Sequence, residues 1–366
     1  MTSSGSAADP ARPKAGIARV SVVAPMYNEA DHIEHVVADI AAQDFDGELE
    51  FIVADGGSTD GSADLLVRAA ERHGLEVHVI HNPDRWVSQG LNACIRAASG
   101  ELVVRIDCHS RYPRNYVRNC VQAAAETGAD NVGGVATPQG RTPTQRAVAC
   151  AMDSAFGGIG WSRHTGGERV EVDTVPFGAF RREAFSKVGL FDESLVRNQD
   201  DEFNLRLRLA GGRIVRDPAI TLEYTPRGTF RSLFRQYYEY GRWKVPVMLK
   251  HRRVVSMRSL APVALVASFL ALTALSIVTH HAVAVLLVEL ALYSAGAVAF
   301  GVGALRSRAE NWRLLPRVVA AFPTIHVAYG LGMAAGWLRA GFTRLLLAPA
   351  VPAVAEAGAG LCRFWA

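Results

Sequence analysis

Between residues 19 and 107 the sequence repeats one unit, in which a short apolar run is followed by a polar turn and then by an amphipathic helical segment. The apolar runs predict four buried strands, at Val20–Ala24, Leu49–Ala54, Glu76–Ile80 and Leu102–Ile106. Consecutive strands that are separated by helices pair in parallel, because the chain crosses back through a right-handed helical connection. The repeat therefore predicts an α/β fold with a doubly wound, mostly parallel sheet.

A polar cluster follows each of the four predicted strands. The clusters are Tyr27–Glu29, Asp55–Asp60, Asn82–Arg85 and Asp107–His109. In an open parallel sheet, ligands bind outside the carboxyl ends of the strands, so these side chains are expected to share one site. Acidic residues from three strands would repel each other there unless a cation or hydrogen-bond donors offset their charge. Ser58, Thr59 and Asp60 also suit the N-cap of the next helix, so capping is an alternative for them.

The turns after the strands lack both the GxxxxGK[ST] and the GxGxxG phosphate-binding patterns. Recognition of a nucleotide would instead depend on carboxylates that bind the base and ribose, with a divalent metal to handle the diphosphate. Asp107 and His109 lie two residues apart at the end of an apolar run, which is the pattern of metal ligands delivered by a strand. Taken alone, the same pattern also fits a structural or turn-capping role.

Charge and cysteine content argue against several functional classes. The net charge of +4 is small for a nucleic-acid-binding protein. The five cysteines are odd in number and form no CxxC pair, which argues against a disulfide framework and a structural zinc site and favours a reducing compartment. The first 18 residues are polar and small, so we expect a disordered tail and no cleavable signal peptide.

Three long stretches near the C-terminus are nearly free of charge: Leu260–Thr279, Ala282–Leu305 and Val318–Leu338. A helix of about 20 apolar residues crosses ~30 Å of hydrocarbon, so each stretch is a predicted membrane span. The loop before the third stretch carries four arginines, which places this loop and the α/β domain in the cytoplasm under the positive-inside rule. Glu289, inside the second span, is expected to face protein or water.

Residues 227–258 join the two parts of the chain and contain nine lysines and arginines. Phe230, Phe234, Tyr237 and Tyr238 recur there at helical spacing, which predicts a basic amphipathic segment on an anionic membrane surface. The predicted organisation comprises a tail (1–18), the α/β domain (19–226), this interfacial segment (227–258), about three transmembrane helices (259–340) and a tail or re-entrant segment (341–366), with Leu345–Val354 as the re-entrant or surface part.

Seven motifs in order resemble an inverting nucleotide-sugar glycosyltransferase of family 2, which has the GT-A fold. They are Ala24–Glu29, Val53–Gly61, Gln89–Ile95, Asp107–His109, Phe180–Glu193, Asn198–Arg206 and Gln236–Trp243. The resemblance covers roughly residues 19–245. Within the family the chain is most similar to succinoglycan-type exopolysaccharide glycosyltransferases, through Arg105–His109, Gln236–Trp243 and the membrane tail.

The resemblance implies roles for individual side chains. Asp200 would be the general base that takes the proton from the acceptor hydroxyl, although an acid there also suits the start of a helix. The other implied roles are nucleotide binding by Pro25, Tyr27, Glu29, Asp55, Arg85 and Asp107, metal binding by Asp107 and His109, and contacts to the diphosphate and acceptor by Gln236, Arg242 and Trp243. His109 replaces the family's second Asp, which favours Mn²⁺ over Mg²⁺ as the cofactor. Gln199 replaces the more usual Glu.

The implied function is transfer of a hexose from a nucleotide-diphosphate sugar to a polyprenyl-diphosphate-linked glycan, in exopolysaccharide or cell-envelope synthesis. The partners would be the donor, the lipid-linked acceptor and the bacterial inner membrane, with no nucleic acid. Ser154–Gly178 would be an acceptor-side loop, with packing as an equal alternative for Phe177 and Trp161. Two other functions are compatible with the sequence: transfer to polyprenyl phosphate itself, and a non-catalytic membrane scaffold that keeps the nucleotide fold.

Overall fold

The computed structural model describes residues 17–157, 167–254 and 257–346 of the chain. The predicted N-terminal tail lies outside these ranges apart from its last two residues. Trp161, in the predicted acceptor-side loop, and most of the predicted re-entrant segment also lie outside them.

The α/β domain is built on one mixed sheet, which has nine strands within the described ranges. The strands are β1 (Arg19–Met26), β2 (Glu48–Asp55), β3 (Val77–His81), β4 (Leu102–Arg105), β5 (Ser110–Arg111), β6 (Asn131–Pro138), β7 (Val170–Glu171), β8 (Ala179–Arg181) and β9 (Ile214–Tyr224). The order across the sheet is β3-β2-β1-β4-β8-β6-β9-β5, and β7 pairs with β9. The four predicted strands correspond to β1–β4, and they pair in parallel as expected.

Helices cover both faces of this sheet. They are α1 (Ala30–Ala41), α2 (Ser62–His73), α3 (Val87–Ala97), α4 (Tyr116–Thr127), α5 (Pro143–Asp153), α6 (Arg182–Val188) and α7 (Gln199–Leu209). Val22 and Val23 are adjacent in β1 and belong to two different hydrophobic cores, because successive side chains of a strand point to opposite faces. The predicted α/β fold with a mostly parallel sheet is thereby confirmed.

The short strand β8 runs antiparallel to β4 and separates it from β6. Three residues are too few to show a period of two, so the sequence pattern does not predict this strand. The pairing places the residues before β8 at the carboxyl end of β4, where the amide of Arg105 donates a hydrogen bond to the carbonyl of Gly178 at 3.1 Å. A loop from the second half of the domain thus reaches the edge where the predicted ligand residues lie.

Three helices within the described residues are long and apolar enough to cross a membrane. They contain α9 (Ala261–Leu275), α10 (His280–Ser307) and α11 (Leu315–Leu346) and cover the three predicted stretches. Large apolar side chains of α10 point outward, as lipid contact requires, and Leu292 for example is 70% exposed. Glu289 of α10 accepts a hydrogen bond from the hydroxyl of Ser268 of α9 at 2.8 Å, so it faces protein as expected.

The segment after β9 forms one helix, α8 (Phe230–His251), which packs along α11. The two backbones are in direct contact, because a Cβ atom at Gly332 would lie 2.0 Å from the carbonyl oxygen of Tyr238. A Cβ atom at Gly241 would likewise lie 2.1 Å from the carbonyl oxygen of Tyr329. The buried face of the predicted interfacial segment is therefore covered by a candidate membrane span, while Arg231, Phe234 and Arg235 remain exposed.

Helix α5 and the turn after it attach the α/β domain to α10 and α11. Arg146 and Asp153 of α5 form ion pairs with Glu310 and Arg308, respectively. Glu310 and Arg308 lie in the loop between α10 and α11. The carbonyl oxygen of Phe156 lies 2.7 Å from Nε2 of His326 in α11. Part of the predicted acceptor-side loop is thus held inside the helical bundle.

Candidate active site at the carboxyl edge of the sheet

The turns after β1 and β2 are fastened to each other by side-chain hydrogen bonds. Asn28, at a left-handed φ of 55°, accepts a hydrogen bond from the amide of Thr59 at 2.8 Å, and its own amide donates to the hydroxyl of Ser58 at 2.9 Å. That hydroxyl in turn donates to Asp55 Oδ1 at 2.6 Å. Asp55 is buried, and these contacts fix one of its two oxygens at the edge of the sheet.

Asp60 caps α2, the helix that its position in the sequence indicates, and also the neighbouring helix α1. Its carboxylate accepts hydrogen bonds from the amide of Ala30, at the start of α1, and from the amide of Ser62, both at 3.0 Å. The hydrogen bond from the Ser62 hydroxyl and that from Ala30 lower the pKa of Asp60. Helix α2 itself begins after Gly61, which has a φ of 86° and provides no side-chain cap. Capping is therefore confirmed as the role of Asp60, and it also acts across the two turns.

Tyr27 and Arg85 form an exposed surface beside the turns after β1 and β2. The guanidinium of Arg85 lies over the Tyr27 ring, 5.7 Å from its centroid, and Tyr27 is 44% exposed. Pro25 is partly buried in β1, and its carbonyl faces the thiol of Cys108. An exposed ring with a cation above it offers a flat base a stacking surface.

The end of β4 brings three predicted side chains together. Nδ1 of His109 lies 3.1 Å from Oε1 of Glu29, and the amide of Asp107 is held by the hydroxyl of Tyr112 at 2.8 Å. Burial disfavours the charged imidazole, but the hydrogen bond that His109 donates to Glu29 and the charge of Asp107 outweigh burial and raise the pKa of His109. The sequence predicted that acids from separate strand ends would need a cation or hydrogen-bond donors to offset their charge. Arg105 provides positive charge at this edge, and His109 lies within hydrogen-bond distance of Glu29.

Asp107 and His109 fit a divalent cation only together with ligands from a substrate. No group of three or more His, Cys, Asp or Glu side chains in the described part of the chain is arranged to hold a metal ion. Asp107 retains oxygens for coordination, since its Oδ1 is 3.4 Å from Arg105 Nη2, a long contact for a hydrogen bond. Two protein ligands plus diphosphate oxygens are a usual arrangement for a cation that binds with a nucleotide.

Asp200 lies at the start of α7 and faces the same edge. Its Oδ2 contacts Nη1 of Arg105, while its Oδ1 is buried and has no hydrogen-bond partner among the described residues. Burial raises the pKa of Asp200, and the charge of Arg105 opposes this shift. The side chain as a whole is 28% exposed, although Oδ1 is buried.

The two acids after Asp200 are occupied by structural contacts. Asp201 pairs with Lys244 of α8. Glu202 is fully buried and meets two cationic side chains, Arg206 and Lys250, and the imidazole of His251. These contacts bind the start of α7 to α8, which fits the capping and helix-dipole role that acids favour at a helix start.

The predicted acceptor-end residues lie on α8. Nε2 of Gln236 donates hydrogen bonds to the hydroxyls of Tyr224 at 3.2 Å and Tyr240 at 3.0 Å, while its Oε1 is buried and unpaired among the described residues. Arg242 and Trp243 both contact Glu239 on the same helix, at 3.8 and 3.1 Å. Gln236 is therefore joined to the end of β9, next to the strand-end edge, whereas the contacts of Arg242 and Trp243 are local.

Two further residues belong to this site: Arg105, to which the motifs assign no role of its own, and Phe177, which the sequence indicates only as part of an acceptor-side loop or as a packing residue. Arg105 is a buried cation between Asp107 and Asp200, and Phe177 lies beneath its guanidinium at 5.6 Å. The signal in the sequence is an arginine within the apolar run Leu102–Ile106, since a charge buried in a strand requires a partner.

Comparison with known proteins agrees with this fold. The model of the family described as Glycosyl transferase family 2 matches residues 21–189. The chain is 32% identical over 313 residues to the succinoglycan biosynthesis protein ExoA of Rhizobium meliloti, covering 85% of this chain and 92% of that protein. It is 34% identical over 122 residues to the undecaprenyl-phosphate 4-deoxy-4-formamido-L-arabinose transferase of Serratia proteamaculans, covering 32% of this chain and 37% of that protein.

A solved structure extends the likeness to the three-dimensional level. The mannosyltransferase PcManGT from Pyrobaculum calidifontis, determined in complex with GDP-Man and Mn²⁺, superimposes with a TM-score of 0.63 and 21% identity over 89% of each chain. At that identity the likeness concerns the fold, which is GT-A. The motif order, the match to the family and the identity to ExoA over most of both chains lead to one conclusion: this chain belongs to glycosyltransferase family 2 and is a glycosyltransferase.

Proposed function

We propose that this enzyme transfers a hexose from a nucleotide-diphosphate sugar to a lipid-linked acceptor, with inversion at the anomeric carbon and with Asp200 as the general base. The observation that carries the proposal is the state of the Asp200 carboxylate. One oxygen contacts Arg105, and the other is buried without a partner in the described part of the site. A free, desolvated carboxylate oxygen is suited to accept a proton from a substrate hydroxyl.

The reaction is a single displacement. The acceptor oxygen forms a bond to C1 of the sugar while the bond from C1 to the diphosphate oxygen breaks, and the acceptor proton passes to Asp200. The nucleoside diphosphate leaves with the electron pair of the broken bond. Because attack and departure occur on opposite faces of C1, the configuration of the sugar inverts.

The donor would lie along the carboxyl ends of β1, β2 and β4. Tyr27 and Arg85 provide a surface for the base, while Glu29 and Asp55 supply carboxylates for the base and ribose, with Pro25 as part of the floor. Asp107 and His109 would hold a divalent cation, which supplies charge neutralisation to the leaving diphosphate. A manganese ion is consistent with the Mn²⁺ in the mannosyltransferase of similar fold.

The acceptor would approach from the membrane side. Helix α8 packs on α11 and carries Gln236, Arg242 and Trp243, so the implied acceptor end of the site is next to a candidate span. The relatives act in succinoglycan biosynthesis and on undecaprenyl phosphate, which supports a lipid-linked acceptor in exopolysaccharide or cell-envelope synthesis. The arginines between α10 and α11 favour a cytoplasmic site on a bacterial inner membrane.

The proposal is tested with the full chain in lipid nanodiscs. Radiolabelled UDP-glucose, UDP-galactose, UDP-N-acetylglucosamine and GDP-mannose are each incubated with Mn²⁺ and either undecaprenyl phosphate or a bacterial lipid extract. We expect label in the lipid phase only with the extract, which contains diphosphate-linked glycans. Label on undecaprenyl phosphate would instead establish the second candidate, which the Serratia relative favours. Nucleotide release without lipid labelling under all conditions would contradict a lipid acceptor.

Replacing His109 with aspartate tests the metal assignment. If His109 is a ligand, His109→Asp should retain transfer within about tenfold and show a smaller preference for Mn²⁺ over Mg²⁺, because a carboxylate suits Mg²⁺ better than an imidazole does. The ratio of rates in the two metals, after treatment with a chelator, is the measurement. His32→Asp is the control, since His32 contacts His109 only ring to ring at 6.3 Å. A folded but inactive His109→Asp protein would count against the assignment.

A further inference from the structure

Arg105 is the only residue of β4 that carries a charge, and it is buried. Its neighbours Val103, Val104 and Ile106 are apolar and fully buried, and the side chain of Arg105 is 8% exposed. An unpaired guanidinium loses its hydration when it is buried, so the position of Arg105 depends on the acids around it. Those acids come from two different parts of the site.

The guanidinium of Arg105 links Asp107, at the edge of the sheet where the donor would bind, to Asp200, the proposed base. Nη1 contacts Oδ2 of Asp200 on α7, and Nη2 lies 3.4 Å from Oδ1 of Asp107 at the end of its own strand. The contact with Asp200 is the closer of the two, so the cation is committed mainly to the base. Because Oδ2 is engaged by Arg105, the other oxygen of Asp200, which is buried and has no hydrogen-bond partner among the described residues, is left to accept the proton of a substrate hydroxyl.

Phe177 supports Arg105 at a conformational cost. The ring lies 5.6 Å from the guanidinium carbon, within the range of cation–π contact. Phe177 adopts a φ of 47°, a left-handed conformation that is unfavourable for a residue with a Cβ atom. The fully buried Tyr116 holds it there by donating a hydrogen bond to its carbonyl at 3.2 Å. The loop before β8 thus keeps an aromatic ring under Arg105 in an unfavourable backbone conformation.

We propose that Arg105 is the positioning residue for the base: it turns the Asp200 carboxylate so that Oδ1 faces the acceptor, and it sets the distance between the base and the donor edge through Asp107. The inference rests on the proposed role of Asp200. Arg105 itself transfers no proton and touches no reacting atom. Its effect should therefore appear in the rate of transfer and leave nucleotide binding nearly unchanged.

The test compares Arg105→Ala, Arg105→Lys and the parent chain in nanodiscs, with nucleotide release from the four labelled nucleotide sugars as the rate. Arg105→Ala should lower kcat about 10²-fold, the usual cost of removing one preorganised electrostatic contact. The dissociation constants of UDP and GDP should change less than about threefold, since the substitution removes no contact that binds the ground state and the transition state equally. Added guanidinium chloride should restore part of the lost rate, and Arg105→Lys should retain more activity than Arg105→Ala.

Arg182→Ala is the matched control. Arg182 donates hydrogen bonds to the carbonyls of Ala98 and Gly100, which precede the N-terminal end of β4. It is therefore a structural arginine near the same strand. Its removal should lower the thermal midpoint without a rate change that guanidinium rescues. A rescue of Arg182→Ala equal to that of Arg105→Ala would overturn the inference.

A double variant separates this inference from the proposed function. If Arg105 acts through Asp200, then Asp200→Asn combined with Arg105→Ala should be no slower than Asp200→Asn alone. Additive losses, or a normal rate in Arg105→Ala, would overturn the positioning role while leaving Asp200 as the base. A normal rate in Asp200→Asn would overturn the proposed base and the inference together.

Discussion

Replacement of Asp200 with asparagine is expected to reduce sugar transfer by about 10²–10⁴-fold, the range found when a general base is removed. Asparagine fills the same volume and can still contact Arg105, but its side chain accepts no proton at neutral pH. Binding of UDP or GDP with Mn²⁺ should be nearly unchanged, because the predicted nucleotide contacts lie at the carboxyl ends of β1–β4. Transfer rates in nanodiscs and calorimetric titration of the nucleotides provide the two measurements.

Asp201→Asn is the control for this variant, since Asp201 is the next residue in the same helical turn and pairs with Lys244. It should lower stability while leaving the rate per folded molecule within about tenfold of the parent. The pH profile provides a second check. Burial raises the pKa of Asp200, so kcat should fall as the pH decreases through a value above that of an exposed aspartate. A rate that Asp200→Asn leaves unchanged would exclude Asp200 as the base.

Substitution of Gly332 is expected to have the largest effect on stability. A Cβ atom there would lie 2.0 Å from the carbonyl oxygen of Tyr238, so alanine at 332 forces the backbones of α8 and α11 apart. Overpacking of this kind costs about 1–3 kcal/mol, and a valine should cost more. Thermal unfolding of the detergent-solubilised chain measures the loss, and reduced transfer at temperatures below the midpoint would show that the α8–α11 contact also orders the site.

Gly303→Ala provides the matched control for Gly332→Ala. Gly303 lies in α10, another candidate span, and a Cβ atom there would have no neighbour within 4 Å. Alanine is the better helix former, so this variant should be as stable as the parent or slightly more stable. Equal thermal midpoints for Gly332→Ala and Gly303→Ala would show that α8 does not pack on α11 as described.

The first half of the sheet is predictable from the sequence because its signals are local. Strands β1–β4 are apolar runs bounded by polar turns, and parallel pairing brings Glu29, Asp55 and Asp107 to one edge. Strand β8 could not be predicted, because three residues show no period and its pairing with β4 joins segments that are far apart in the chain. The mixed second half of the sheet therefore appears only in the structure.

The candidate site likewise has a part that can be predicted from the sequence and a part that cannot. Asp200 is recognisable from its motif, but its contact with Arg105 joins residues from β4 and α7, and no local pattern specifies it. For α8, the periodicity of Phe230, Phe234 and Tyr237 indicates one apolar face, but Phe234 is exposed, and the buried face contains Leu233 and Tyr237. Periodicity does not say what covers that face, and the structure shows that α11 does. The roles of the individual site residues stay predictions until variants are measured.

The ion pairs between α7 and α8 and the backbone packing of α8 on α11 have a consequence for the length of the acceptor. Asp201 and Glu202 fasten the start of α7 to Lys244, Lys250 and His251 of α8, and α8 is packed backbone to backbone against a candidate span. If the acceptor is lipid-linked as proposed, the base stands at a set height above the bilayer. Only a glycan whose terminal hydroxyl reaches that height can react, so the enzyme would accept a growing glycan at only one length.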